Sequence, residues 1–426
     1  MKGPARFFRS AAFGCALIGL AVGQSMAWGA DPASQSFTLG DVTTLALERN
    51  PVVAGAQAFI DQNVGQRVRA GAYPNPTINS NSGRGFLKDS GPLTTNIPTA
   101  ATEYNVYVGQ PLEWPSKRAA RQRAAEAGLA GASVGLIETR LNLTADVKMA
   151  FYELLLAQRD LDLARQNLAI VQDVQRIVNT RVRLGEAPQF EAIKAQVEVL
   201  KANQVVTRAE NTVRVNRVVL DTLTVGALGP VYNIEGDFTR FPSELMLDSL
   251  ISRAYEDHPA VQRIVRLVEQ AGHTIEFERQ ARVPNVTVGG TYWREYGREA
   301  VNFGVSVPTP IWYQRQGEIT AALGGKRREE AELLRARNAL IKEVNQYYQD
   351  ALTTANLIDV FEKGLMKQSQ EALRIAQFSF QQGAASLLEV LDAQRVQRQI
   401  LFDYAQARFE LSIALARLER AVGGPL

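Results

Sequence analysis

The sequence predicts a mainly helical fold with a small β part: two tandem structural repeats, each giving long antiparallel coiled-coil helices and one β-hairpin. Three observations predict it. The second half of the chain re-reads the first. Ser116 to Val182 lacks proline and carries a seven-residue apolar period. Short runs of alternating apolar and polar residues precede each long helical segment.

The repeat is read from three landmarks in the same order. Ala46–Val53 matches Ala254–Val261 at an offset of 208, Ala72–Ile78 matches Arg282–Val288 at 210, and Gly185–Gln196 matches Gly383–Gln394 at 198. The fall from 210 to 198 puts about a dozen additional residues in the first copy, within the Gly-, Ser-, Thr- and Pro-rich stretch Gly83–Glu103. The expected organisation is a signal peptide over 1–27, a first repeat over 28–226, an equatorial linker over 227–240 and a second repeat over 241–426.

At the N-terminus, Lys2, Arg6 and Arg9 precede the apolar run Ala11–Val22 and the small residues Ser25-Met26-Ala27, the pattern of a secretory signal cleaved after Ala27. Its removal takes away three positive charges and the only cysteine, Cys15, leaving a neutral chain suited to an oxidising compartment. Cys15 follows Ala12-Phe13-Gly14 inside the apolar run, so it reads as part of that run rather than as an acylated lipoprotein cysteine. No later stretch has 18 consecutive apolar residues, so a membrane could be crossed only by a closed barrel.

Each repeat opens with a short amphipathic segment ending at Asn50 or His258, followed at once by a proline. Proline at the first helical position costs no hydrogen bond, so a helix starts there and runs to about Tyr73 or Arg282. Pro74-Asn75-Pro76 and Pro284-Asn285 stop it. Strands are expected at about 75–85 and 103–113, and at about 285–294 and 300–311. In the last, Val301, Phe303, Val305 and Val307 alternate with Asn302, Gly304 and Ser306. Such runs suit a tilted membrane strand with Trp114, Tyr292, Trp293, Trp312 and Tyr313 at the interfaces, and equally a soluble hairpin.

Long helices follow at about 116–183 and 315–381, returning at about 188–225 and 386–422. Val147, Leu154, Leu161, Leu168, Gln175 and Val182 recur every seven residues, with Ala150, Ala157, Ala164, Val171 and Val178 three places later. Small residues at one seam position let helices approach closely. Gly128, Gly131 and Gly135 are the weak points of this helix. It spans roughly 100 Å; the shorter return helix and the helix after Asn50-Pro51, stacked end to end, give roughly 90 Å. Four strands per chain cannot close a barrel, which starts at about eight, so several chains must pool them; three chains give twelve strands and twelve helices.

These features resemble the TolC family of outer-membrane factors over about Phe37–Gly423: the repeated Asn/His-Pro helix start, the Pro-Asn strand start, and the Gly-x5-Glu-x3-Ala-Gln hairpins at Gly185 and Gly383. The resemblance implies a homotrimer with a 12-stranded β-barrel on a periplasmic α-helical tunnel. It further implies contact with outer-membrane lipid, a periplasmic adaptor and an inner-membrane pump of the RND type, in the outer membrane of a Gram-negative bacterium. Gln110–Arg121 and Pro310–Ile319 are similar to the heavy-metal (cobalt–zinc–cadmium) branch, although Pro115-Ser116-Lys117-Arg118 stands where that branch often has Gly-Gly-Lys-Arg. The implied cargo is heavy-metal cations; drug efflux or type I secretion is the alternative, and a periplasmic coiled-coil structural or adaptor protein is the rival from another class. Two hairpins in tandem with few other strands weigh against an adaptor.

Glu389 and Asp392 lie three apart near the start of a return helix and share a face. The resemblance implies that they line the periplasmic mouth as a gate and selectivity ring; otherwise they are a solvated face, with Glu389 a first-turn acid favoured by the helix dipole. The first repeat has Glu191 but Lys194 at the second place. The hairpin tips Arg183, Leu184, Gly185, Glu186 and Gln382, Gly383, Ala384, Ala385 are the implied adaptor-docking surface, or plain turns. His258 reads as a helix cap equivalent to Asn50, and His273 as a lone helical histidine, so no metal site is assigned. No cofactor is implied. No nucleophile elbow, phosphate loop or His–carboxylate constellation suggests an enzyme, and 47 basic against 44 acidic residues do not suggest a nucleic-acid surface.

Overall fold

The computed structural model describes residues 36–86, 100–242, 244–295 and 297–426; the signal segment, Cys15 and most of the expected first-copy insertion lie outside them. The first repeat contains β1 (Ser36–Thr38), α1 (Leu39–Arg49), α2 (Pro51–Gly71), β2 (Thr77–Phe86), β3 (Ala100–Leu112), α3 (Pro115–Arg183) and α4 (Gln189–Leu223). After β4 (Asn233–Glu235), the second contains α5 (Leu247–Asp257), α6 (Pro259–Gln280), β5 (Val286–Glu295), β6 (Arg298–Ser306), α7 (Gln316–Val360), α8 (Met366–Gln381) and α9 (Leu387–Val422).

Three elements differ from the sequence expectation. The strand expected to reach 311 stops at Ser306, because Pro308 and Pro310 cannot donate to a ladder. The long helix of the second repeat is broken by a π-turn, Phe361–Leu365, between α7 and α8. The linker is not plain: β4 pairs in parallel with β1, Phe37 opposite Ile234.

The joints between helices repeat. Asn50 Oδ1 accepts the Val52 N–H at 3.0 Å, capping α2, and Asn50 Nδ2 donates to the Leu223 carbonyl at 2.9 Å, at the last turn of α4. His258 does the same with its two ring nitrogens. Nδ1 accepts the Ala260 N–H at 3.1 Å, and Nε2 donates to the Arg420 carbonyl at 3.0 Å, at the end of α9. Thus α4 runs on into α2 and α9 into α6, each joint stapled by one cap residue that serves two orphan groups.

α3 packs against α2 and α4, and also against α6 and α9; α7 packs on α6 and α9, and α8 on α9. Val147, Ala150, Leu154, Ala157, Ala164, Val171 and Val178 of the heptad seam are buried. Gly128 and Gly131 mark where α6 crosses α3. A Cβ on Gly128 would stand 2.9 Å from the Gln270 amide, and one on Gly131 would stand 3.5 Å from Arg266 Cβ. Gly128 thus leaves room for the Gln270 side chain at the cost of helix propensity, whereas at Gly131 a methyl group would make an ordinary contact. A central core joins Val42, Ala46, Phe151, Leu154, Leu220, Tyr232 and Phe238; a second core, near the hairpin tips, joins Val174, Val178, Ala195, Phe380, Leu387 and Val390.

Candidate functional site

The sheet has the order β2-β3-β5-β6, and every neighbouring pair is antiparallel. Its register separates two faces. One row across the strands reads Ile78, Val108, Gly290, Phe303, and another reads Ser80, Val106, Tyr292, Val301. The intervening rows read Asn79, Tyr107, Thr291, Asn302 and Asn81, Asn105, Trp293, Ala300. One face is therefore largely apolar and the other largely carboxamide and hydroxyl. Phe303 is 88% exposed on the apolar face, so a single chain leaves that face uncovered. On the polar face the Tyr107 ring lies over Gly109 and Gly289, where an added Cβ would collide with it.

Below the sheet, the segment from Gln110 to Arg121 forms a clamp. Arg121 donates to both Glu113 oxygens, at 2.7 and 2.9 Å, and its Nε to the Ala70 carbonyl at 2.9 Å. Arg118 Nε donates to the Gly71 carbonyl at 2.9 Å. Two arginines thereby satisfy the last carbonyls of α2 where the strands meet the helices.

At the opposite end the two hairpin tips adjoin. Gly185 and Gly383 take φ of 78° and 77°, a left-handed conformation that favours glycine. The Glu186 N–H returns to the Arg181 carbonyl and the Ala384 N–H to the Ser379 carbonyl, each at 2.8 Å. Arg181 lies 5.1 Å from the centre of the Phe380 ring, linking the hairpins. Between them runs a groove of about 450 Å³, lined among others by Arg181, Glu186, Gln382 and Gly383. Arg183, Leu184 and Ala384 are at the same end, with Leu184 and Ala384 exposed, and Ala385 packs against the tip core.

Glu389 and Asp392 are both exposed, and each is tied to its own helix. Glu389 closes a capping box: its Oε2 accepts the Ser386 N–H at 2.9 Å, while Ser386 Oγ accepts the Glu389 N–H at 3.4 Å. Asp392 accepts from Arg395 Nη2 at 2.5 Å. Asp392 also lines a groove between α4 and α9 that holds Lys194, Lys201, Arg395 and Arg398. Lys194 is the repeat counterpart of Asp392, and the fold brings both to one groove. The signal was present in the 198-residue offset; the convergence of α4 and α9 was not.

His258 is buried, and both ring nitrogens are used within the joint. Among the described residues no group of three or more His, Cys, Asp or Glu side chains could hold a metal ion, and no helix is long and apolar enough to cross a membrane.

The model of the outer membrane efflux protein family matches residues 42–226 and 250–424. The cobalt-zinc-cadmium resistance protein CzcC of Cupriavidus metallidurans is 24% identical over 393 residues, covering 92% of this chain and 91% of that protein. Among solved structures, a membrane protein from Pseudomonas aeruginosa superposes with a TM-score of 0.78 at 19% identity, covering 92% of this chain and 91% of that one. CusC, in structures describing folding and transmembrane channel formation, superposes at 0.76 and 16% identity, covering 94% and 96%. With two family matches laid over the two repeats and the same fold in known channels, this chain belongs to the outer membrane efflux protein family.

Proposed function

We propose that this chain is the exit duct of a tripartite efflux system, a homotrimer in the outer membrane of a Gram-negative bacterium that works with a periplasmic adaptor and an inner-membrane RND pump. One observation carries the assembly: both edges of the chain are open. Among the described residues β2 and β6 are unpaired on their outer sides, and their directions are opposite, so β6 of one copy can continue the antiparallel order with β2 of the next. The helical edges match. α4 exposes Phe190, Ile193, Val197 and Leu200, and α8 exposes Ile375 and Phe378. Repeated head-to-tail contact closes a ring, and three copies supply twelve strands.

The apolar sheet face then meets outer-membrane lipid and the carboxamide face lines the lumen. Heavy-metal cations are the cargo that the similarity to CzcC and the Gln110–Arg121 and Pro310–Ile319 segments favour. The paired tips, Arg183 to Glu186 and Gln382 to Ala385, form the adaptor-docking surface, supported by their adjoining geometry and the groove between them. Glu389 and Asp392 line the periplasmic mouth, supported by their exposure beside the tips.

The test is planar-bilayer conductance of the detergent-purified protein, wild type beside Glu389→Ala/Asp392→Ala. The expected result is small cation-selective currents for the wild type and larger, less selective currents for the variant. A protein that never conducts and stays soluble without detergent overturns the duct.

A further inference from the structure

The groove between α4 and α9 has a charge that an acidic mouth does not explain. It measures about 560 Å³ and is lined by Lys194, Glu198 and Lys201 from α4 and by Asp392, Arg395 and Arg398 from α9. Two of the four cations are matched: Lys201 pairs with Glu198 at 2.9 Å and Arg395 with Asp392 at 2.5 Å. Among the described residues, the side chains of Lys194 and Arg398 make neither a hydrogen bond nor an ion pair, and both residues are only partly exposed. The floor is polar. Gln394 Nε2 donates to Asn167 Oδ1 at 2.9 Å with both side chains buried, which leaves the Asn167 amide N–H groups as further donors.

Two uncompensated positive charges in a concave site raise the local concentration of anions. We infer that this groove binds a small dianion, an oxyanion or a compact polycarboxylate, held between Lys194 and Arg398. Two negative charges neutralise the groove, whose four cations face two carboxylates. The volume lies in the range of small-molecule sites. Lys194 stands at the repeat position of Asp392, so the site draws its two halves from the two repeats. Its effect on cargo rests on the duct reading, because an anion competing with Asp392 for Arg395 would release a carboxylate to the mouth; the binding itself does not.

Calorimetric titration of the full-length, detergent-purified protein with citrate, and separately with inorganic phosphate, tests the site. At least one of the two is expected to bind, and Lys194→Gln/Arg398→Gln to weaken that binding about a hundredfold, near tenfold for each charge-assisted hydrogen bond removed. Glu198→Gln frees Lys201 and is expected to tighten it. An unchanged melting transition keeps the variants interpretable. No binding of either anion, or binding that ignores both substitutions, overturns the site. A protein that binds but never conducts refutes the duct alone, and one that conducts but binds neither anion refutes the site alone.

Discussion

At the scale of single residues, Asn50 and His258 show how much of a role a sequence can carry. Their place before a proline announces a helix cap. The second bond, to Leu223 or Arg420, joins segments more than 160 residues apart, and nothing local encodes it. For His258 the two bonds fix the tautomer, because Nε2 must donate to a carbonyl while Nδ1 accepts. Burial holds its pKa below the ordinary 6.5, so the unfolded chain takes up a proton first as the pH falls and stability drops with it. His258→Asn keeps both staple roles, as Asn50 does, and should flatten this loss below about pH 6.5 in thermal melts. Asp160, on α3, has the opposite sign. Burial raises its carboxyl from 3.8 to about 6, so it costs stability at neutral pH and the folded chain regains it as the pH falls through that interval. Asp160→Asn should stabilise at pH 7 by on the order of 1 kcal/mol, discounted for solvent screening, and should change nothing near pH 3.

Among the elements, legibility followed period. The heptads of α3 could be read because burial repeats along them at every seventh residue, and the alternation of β6 because successive side chains point to opposite faces of the sheet. β1 and β4, three residues each, have no room for a period, and the π-turn at Phe361–Leu365 interrupts the helix with Gly364 as its single local weak point. Tertiary contacts hold that turn: Phe361 is buried, and the Tyr404 hydroxyl donates to Glu362 at 2.8 Å. The glycines of the sheet were legible only as small residues in strands. Gly289 in fact lies beneath the Tyr107 ring, with no room for a methyl group. Gly289→Ala should therefore displace Tyr107 and destabilise the sheet by about 1–3 kcal/mol. Tyr107→Ser should be milder and should restore tolerance of Gly289→Ala in the double variant. The loss of heat-resistant oligomer on electrophoresis would measure all three; equal damage in the single Gly289→Ala and the double variant would show that Tyr107 is not what excludes the methyl group.

For the whole molecule, the decisive property is incompleteness. The sequence indicated that four strands cannot close by themselves, but not which edges remain open or which face looks outward, since both depend on register. In the register observed, Phe303 and Asn302 are neighbours on β6 that lie on opposite faces of the sheet. The proposed ring would send Phe303 to lipid and Asn302 to the lumen. A charge on the lipid face of such a barrel costs about 2–4 kcal/mol near the midplane, whereas a charge in the lumen stays hydrated and acts on passing ions. Phe303→Asp should therefore sharply reduce outer-membrane insertion, measured by membrane fractionation and by the yield of heat-resistant oligomer. Asn302→Asp, one residue away, should insert at the wild-type level and shift the reversal potential towards cations. If the two substitutions act alike on insertion, the two faces do not see different solvents, and the ring that turns one face to lipid and the other to water is wrong.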